Sequence, residues 1–186
     1  EELAIYIDMG TNGEMVLGNK DWLACCACSA GPAFEGSGIK CGTRAVKGAI
    51  QKVKIASPNQ PVIVETIGNT KPSGICGSGL IEILSELLNI GIINRSGKFI
   101  SGIKSPYLRQ TDEGMEYILS KASDSETGRD VVITQADIDH IVRSKAAVYA
   151  AVMTLLKKMG YKIEDVRCFY IAGGFGSHLD IAKGIQ

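Results

Sequence analysis

The residues best placed to do chemistry lie in Asp8-Met9-Gly10-Thr11-Asn12-Gly13-Glu14. An apolar run over residues 3–7 ends at a single aspartate, a Gly-Thr-Asn-Gly turn follows, and a second apolar stretch leads away. Asn-Gly between two strand-like runs predicts a hairpin, because both residues accept positive φ at low cost. A hairpin needs no carboxylate at its neck. Glycines flanking Thr11 let backbone approach a ligand closely and turn amide N–H groups toward an anion. An acidic side chain beside such a cradle suits a hydrated divalent cation, since Mg²⁺ keeps several waters and takes one or two carboxylates. The plain alternative is an ordinary hairpin carrying a solvated Asp8. Glu14 has the same two readings, a member of the metal shell or a solvated hairpin glutamate.

Two further glycine turns stand before helical patterns. Gly74-Ile75-Cys76-Gly77-Ser78-Gly79-Leu80 opens a helix with Ser78 expected as N-cap and Leu80, Ile83, Leu84, Leu87 and Leu88 as its apolar stripe. Gly91 is expected to end it. A Gly-Ser-Gly turn at a helix N-terminus offers an anion site, or else only tight helix–strand packing. Near the other end of the chain, an apolar strand over residues 166–171 runs into Ala172-Gly173-Gly174-Phe175-Gly176-Ser177, and a helix is expected from about Asp180. A strand, a glycine turn and a helix start let backbone lie flat against a nucleotide. The spacing departs from the Gly-x-Gly-x-x-Gly fingerprint, and no acidic residue stands about 20 positions on, which argues against a Rossmann domain.

The elements that would hold these turns alternate between strand and helix. Residues 21–30 read as a buried strand running into a turn. Residues 31–44, rich in glycine, read as a shaped loop at a site or interface, with Glu35 and Arg44 as local structural ions. Residues 49–55 and 61–67 pair through a turn at Ser57-Pro58-Asn59-Gln60. Residues 115–119 and 131–133 form further strands around a polar tip at 123–130. Thr134-Gln135-Ala136-Asp137 has the form of a capping box opening the longest helix. Ile138, Ile141, Val142, Tyr149, Val152, Leu156 and Met159 are expected on its buried face, Lys157 and Lys158 in its last turn, and Gly160 at its end. His140 lies off that stripe, solvated and without a role.

Composition narrows the classes. Twenty Lys and Arg balance twenty Asp and Glu, which argues against nucleic acid or an anionic membrane as partner. No apolar run reaches the ~18 residues of a membrane span, and no basic-then-apolar leader is present. The abrupt start in a strand is expected of a domain cut from a longer polypeptide. The six cysteines, Cys25, Cys26, Cys28, Cys41, Cys76 and Cys168, lack paired metal-ligand spacing and are expected as buried, reduced thiols of a cytoplasmic protein.

Five motifs then occur in order: Asp-x-Gly-Thr-Asn-Gly-Glu at 8–14, Gly-Pro-Ala-Phe-Glu-Gly-x-Gly-Ile at 31–39, Gly-Ile-Cys-Gly-Ser-Gly-Leu-Ile at 74–81, Ile-Thr-Gln-x-Asp-Ile at 133–138 and Tyr-Ile-Ala-Gly-Gly-Phe-Gly at 170–176. Asp-x-Gly-Thr and strand-Gly-Gly resemble the phosphate and adenosine motifs of the actin-like ATPase superfamily, which includes sugar kinases and heat-shock chaperones. The whole set is similar to the C-terminal ATPase domain of reductive activators of corrinoid proteins.

The resemblance implies an α/β fold, an actin-like (ribonuclease H-like) ATPase lobe with a mixed β-sheet flanked by helices. Residues 1–186 would be the second, truncated lobe of a two-lobed domain, with the first lobe and the iron–sulfur domain absent. It implies ATP and Mg²⁺ as cofactors, and a corrinoid protein as partner. ATP binding and hydrolysis would drive Co(II) to Co(I), the electron coming from an iron–sulfur cluster on a separate domain. Asp8 would position Mg²⁺ or the attacking water. Gly10, Thr11, Asn12 and Gly13 would face the β- and γ-phosphates, Gly173, Gly174 and Gly176 the adenosine, and Gly77 and Ser78 the vicinity of the nucleotide. Alternatives are a small-molecule kinase of the same superfamily, or a non-catalytic lobe that docks a partner through residues 31–44.

Overall fold

Alternating apolar residues in the first thirty positions make strands, and the Gly-Thr-Asn-Gly turn folds the first two back on each other. In the computed structural model, residues 2–173 and 183 are described. They contain ten strands and two α-helices: β1 (Leu3–Met9), β2 (Gly13–Gly18), β3 (Leu23–Cys28), β4 (Ala49–Lys54), β5 (Ile63–Thr66), β6 (Gly74–Ile75), α1 (Gly77–Asn89), β7 (Leu108–Thr111), β8 (Gly114–Ser120), β9 (Val131–Thr134), α2 (Gln135–Met159) and β10 (Val166–Ala172). The chain divides into two compact units, residues 1–32 with 143–178, and residues 33–142 with 179–186.

The first unit is built on a four-stranded sheet in the order β10-β1-β2-β3. β1 pairs antiparallel with β2, placing Ile5 opposite Leu17 and Ile7 opposite Met15. On its other side β1 runs parallel to β10, with Asp8 opposite Ala172. Leu3, Ile5, Ile7, Met15 and Leu17 line one face and bury against Val152, Leu155 and Leu156 of α2. Trp22 stacks on Tyr161 at 5.7 Å between ring centroids. Tyr6 and Asp8 alternate with the buried isoleucines and so belong to the opposite face.

β3 is a strand as expected but not a buried one: Leu23 is 72 % exposed and Cys25 is exposed. It forms one edge of the sheet, so only its inward residues, Ala24, Cys26 and Cys28, reach the core. The thiols follow suit. All six are free, but only Cys76 is buried; on the edge strand β3 the three thiols cannot all face inward, and Cys41 lies in the 31–44 loop.

The second unit carries two three-stranded sheets, β5-β4-β6 and β7-β8-β9. β4 and β5 pair antiparallel across the expected turn, as do β8 and β9. β7, a polar strand the sequence pattern did not suggest, pairs with β8. Leu80, Ile83 and Leu87 of α1 are fully buried, joining Ile50, Ile75, Ile92, Tyr117, Ile133 and Ile138 in one core. On α1, Glu86 accepts the Ile55 N–H at 2.8 Å and Glu82 the Val53 N–H at 3.3 Å. Lys183 neutralises both carboxylates, at 2.6 Å from Glu82 and 2.9 Å from Glu86. A buried carboxylate is tolerated when charge and hydrogen bonds are both matched in this way.

The helix ends are mostly local chemistry. The capping box of α2 forms: Asp137 N–H donates to Thr134 Oγ1 at 3.1 Å, and Thr134 N–H donates to Asp137 Oδ2 at 2.9 Å. Gly91 and Gly160 adopt φ of 71° and 78° just beyond α1 and α2. For α1 the expectation of Ser78 as N-cap is corrected. Cys76 holds that position in extended backbone without a side-chain cap bond, and Ser78 lies inside the first turn, its hydroxyl 3.4 Å from Cys76 Sγ. On α2, Tyr149 and Met159 are also corrected, at 65 % and 40 % exposed. The buried stripe passes through Val148 and Leu155 instead, since a 3.6-residue period drifts over a helix that serves two separate cores. His140, expected solvated and alone, faces the Gly38 carbonyl at 3.3 Å.

Candidate functional site

β1 and β10 run parallel and side by side, so the turns that follow them emerge at the same end of the sheet. Ligands of open α/β sheets bind at the carboxyl ends of parallel strands, where backbone turns away and leaves a crevice. Here that end carries Asp8, the hairpin loop 10–12 and Gly173. Two of the sequence-derived motifs, about 165 positions apart, thus meet in one unit.

The hairpin forms in the register Met9 opposite Gly13 and Asp8 opposite Glu14. It does so without the expected positive φ at Asn12 or Gly13, neither of which is among the left-handed residues. The turn is wider than a two-residue Asn-Gly turn, with three residues between the paired positions, so neither residue is forced into left-handed backbone. Gly10 N–H donates to the Asn12 carbonyl at 2.9 Å, so this amide is engaged within the loop. Gly13 is tight in space rather than strained: a Cβ there would lie 2.9 Å from Cys28 Sγ, which would have to turn aside. Thr11 and Asn12 are exposed at the tip.

Asp8 and Glu14 are cross-strand partners, so their carboxylates stand on the same face of the hairpin. Like charges directly opposite on a sheet repel unless a cation sits between them. Among the described residues no three His, Cys, Asp or Glu side chains come together to enclose a metal ion. Two carboxylates on one face match the one or two that a hydrated Mg²⁺ takes when waters fill the rest of its shell. Gly173 adopts φ of 84° immediately after β10, with the Asp8 carboxylate against it. Gly174 and Gly176, and the helix expected from Asp180, lie outside the described residues.

Gly77 and Ser78 belong to the other unit, in the first turn of α1. Gly77 is buried, and the neighbouring Gly79 packs so closely on the Ile50 carbonyl that a side chain could not fit. Tight helix–strand packing accounts for that glycine.

Residues 31–44 form a shaped loop. A 3-10 turn covers Pro32–Glu35, and Ala33 and Ile39 are buried. Asp137 accepts the Lys40 N–H at 2.8 Å, while Lys40 Nζ bonds Glu113 at 2.8 Å and Glu116 at 3.2 Å. Arg109 ties Glu116 to Asp130 at 2.7 and 2.9 Å. Sequence reasoning missed Asp137 as the anchor of this loop, because a capping residue announces only its local role. No described helix is long and apolar enough to cross a membrane.

Strand order, the parallel β1–β10 pair and the two turns at one sheet end define an actin-like α/β domain of the ASKHA class. A family model described as the C-terminal domain of RACo, the ASKHA domain, matches residues 2–186, and the chain belongs to that family. It is similar to the solved structure of a reductive activator for corrinoid, iron-sulfur protein, with TM-score 0.92 and 50 % identity over 100 % of this chain and 30 % of that one. It is 33 % identical to the corrinoid activation enzyme RamQ of Eubacterium limosum over 97 % of this chain and 31 % of that protein. It is 30 % identical to the [Co(II) methylated amine-specific corrinoid protein] reductase of Methanosarcina barkeri, over 96 % of this chain and 33 % of that protein. The chain spans about a third of the length of these curated relatives.

Proposed function

We propose that this chain is the nucleotide-binding part of a reductive activator of a corrinoid protein. ATP binding and hydrolysis would drive reduction of an inactive Co(II) corrinoid to Co(I), one electron passing from an iron–sulfur cluster on a separate domain. The observation that carries the reading is the meeting of Asp8 and Gly173 at the ends of parallel strands β1 and β10, in a chain half identical to a reductive activator.

Phosphoryl transfer to water is mainly positioning and charge neutralisation. Bound Mg²⁺ would supply the positive charge that the leaving β-phosphate needs. Asp8, with Glu14 beside it, would hold that hydrated ion or align the water that attacks the γ-phosphorus. Thr11, Asn12 and Gly13 offer donors to the β- and γ-phosphates, and Gly10 does so once its amide turns from the Asn12 carbonyl. Gly174 and Gly176 would serve the adenosine side, with Gly173 joining β10 to them. The domain reading belongs to the same proposal: one lobe of the two-lobed ATPase, with the remaining phosphate contacts supplied by other parts of the polypeptide.

The test is calorimetric titration of Mg-ATP and Mg-ADP into the polypeptide that carries these residues, followed by nucleotide-dependent reduction of a Co(II) corrinoid protein read from its cobalt absorption. Binding and reduction that both disappear in Asp8→Ala support the proposal. Unchanged turnover in Asp8→Ala would overturn the role given to that residue, and reduction independent of ATP would overturn the coupling.

A further inference from the structure

Gly173 does something different from lining a base pocket. It follows Ala172, the residue paired with Asp8 across the parallel β1–β10 ladder. A Cβ built on Gly173 would stand 2.5 Å from Asp8 Oδ1 and 3.3 Å from the Met9 carbonyl oxygen. The first distance is shorter than any tolerable contact, so the Asp8 carboxylate occupies the space that a side chain at 173 would fill. The bare backbone of Gly173 on the adjacent strand leaves room for the carboxylate where it lies.

We infer that Gly173 is a positioning residue for the Asp8 carboxylate, setting its orientation toward the Mg²⁺ and water side of the nucleotide. The inference rests on the proposed role of Asp8, and it moves Gly173 from the adenosine to the phosphate end of the site. A carboxylate that aligns a metal ion or a water must be held within about 0.5 Å of its working position. Any side chain at 173 turns Asp8 away.

The control is built into the same unit. Gly160 has φ of 78°, close to the 84° of Gly173, yet a Cβ there meets nothing within 4 Å. Gly160→Ala therefore reports the backbone strain of a left-handed alanine alone. Gly173→Ala reports that strain together with displacement of Asp8.

The experiment measures ATP turnover, the Mg²⁺ concentration at half-maximal turnover, and binding of a fluorescent ATP analogue without Mg²⁺, all in the complete polypeptide. The expected result for Gly173→Ala is a loss in kcat of about 100-fold, as for ~1 Å misplacement of a catalytic group, with a raised Mg²⁺ requirement. Metal-free analogue binding stays at the level of Gly160→Ala. Weakened metal-free binding with normal kcat and Mg²⁺ dependence is the signature of base packing and overturns the inference.

If Gly173→Ala proves unstable, thermal melting of Asp8→Ala/Gly173→Ala decides. Recovery to the stability of Gly160→Ala identifies the carboxylate as the obstacle, and no recovery overturns the inference. Normal turnover in Asp8→Ala alone would instead remove the underlying reading of the site.

Discussion

Tyr117 illustrates how a single buried polar atom constrains this fold. Its ring fills the core of the second unit, fully buried and 6.2 Å from the Tyr107 ring, while its hydroxyl makes no hydrogen bond to a described residue. Burial in an apolar surrounding, helped by Tyr107, pushes its pKa from 10.0 up to about 12. Above the unfolded value the unfolded chain releases this proton and the folded chain keeps it. The resulting stability is full below pH 10 and is lost as pH rises toward about 12. Tyr117→Phe removes both the desolvated hydroxyl and this alkaline dependence. We expect it to be neutral or stabilising, by up to roughly 1–3 kcal/mol, with a flatter stability profile between pH 10 and 12. Urea denaturation across that range measures it, and a large loss of stability at neutral pH would mean that the hydroxyl has a partner. The thiols give a second residue-scale prediction. Cys25 is exposed and Cys76 buried, while burial raises the Cys41 pKa and so lowers its thiolate fraction at any working pH. Iodoacetamide followed by peptide mass spectrometry should label Cys25 first, with Cys41 and Cys76 far behind; early labelling of Cys76 would contradict the packing of α1.

Between residues and the whole molecule stands the start of α2, where one carboxylate serves two purposes. Asp137 closes the capping box with Thr134 and also receives the Lys40 amide of the 31–44 loop. Asp137→Ala orphans two backbone donors, at roughly 1–3 kcal/mol each, and should loosen both helix and loop. Asp137→Asn keeps one acceptor oxygen but sets its N–H₂ against the other backbone donor, so it should lose one of the two bonds and cost less than Asp137→Ala. Urea denaturation with proteolysis of the loop separates the two variants; a loss in Asp137→Asn as large as in Asp137→Ala would mean that both hydrogen bonds must form together for the loop to hold. This junction also shows what the sequence exposed and what it hid. The capping box, Gly91 and Gly160 were legible because each depends on residues within one turn. The buried stripe of α2 was legible at Ile138, Ile141, Val152 and Leu156, and failed at Tyr149 and Met159, which lie on the exposed side. Ser78 was misassigned because its hydroxyl suits a cap, whereas the position was decided by Cys76 entering in extended backbone. β7 was missed since Leu-Arg-Gln-Thr carries no alternation. In the site, Asp8 and the glycines stood out by type and order, but the contact of Asp8 with Gly173 depends on parallel pairing between strands at opposite ends of the chain. No local pattern encodes that pairing.

For the molecule as a whole, the physical question is how two cores share one chain. Leu17 is fully buried in the sheet core with Val152, Leu155 and Leu156, and Leu87 is fully buried in the other core with Ile138 and Ile141. α2 contributes to both, yet among the described residues no buried side chain belongs to both clusters. Leu17→Ala and Leu87→Ala should each cost about 2–5 kcal/mol, the lost transfer energy together with the cavity left behind. Sites without shared partners add to within about 0.5 kcal/mol, so the double variant should lose the sum. Equilibrium urea unfolding of the two single variants and the double variant is the measurement. A loss short of the sum by more than 1 kcal/mol, at unchanged m-value, would show coupling carried along the backbone of α2, whose 25 residues form one uninterrupted helix. Additivity would instead mean that each core holds its own half of α2, leaving the helix as a connector between two independently packed interiors.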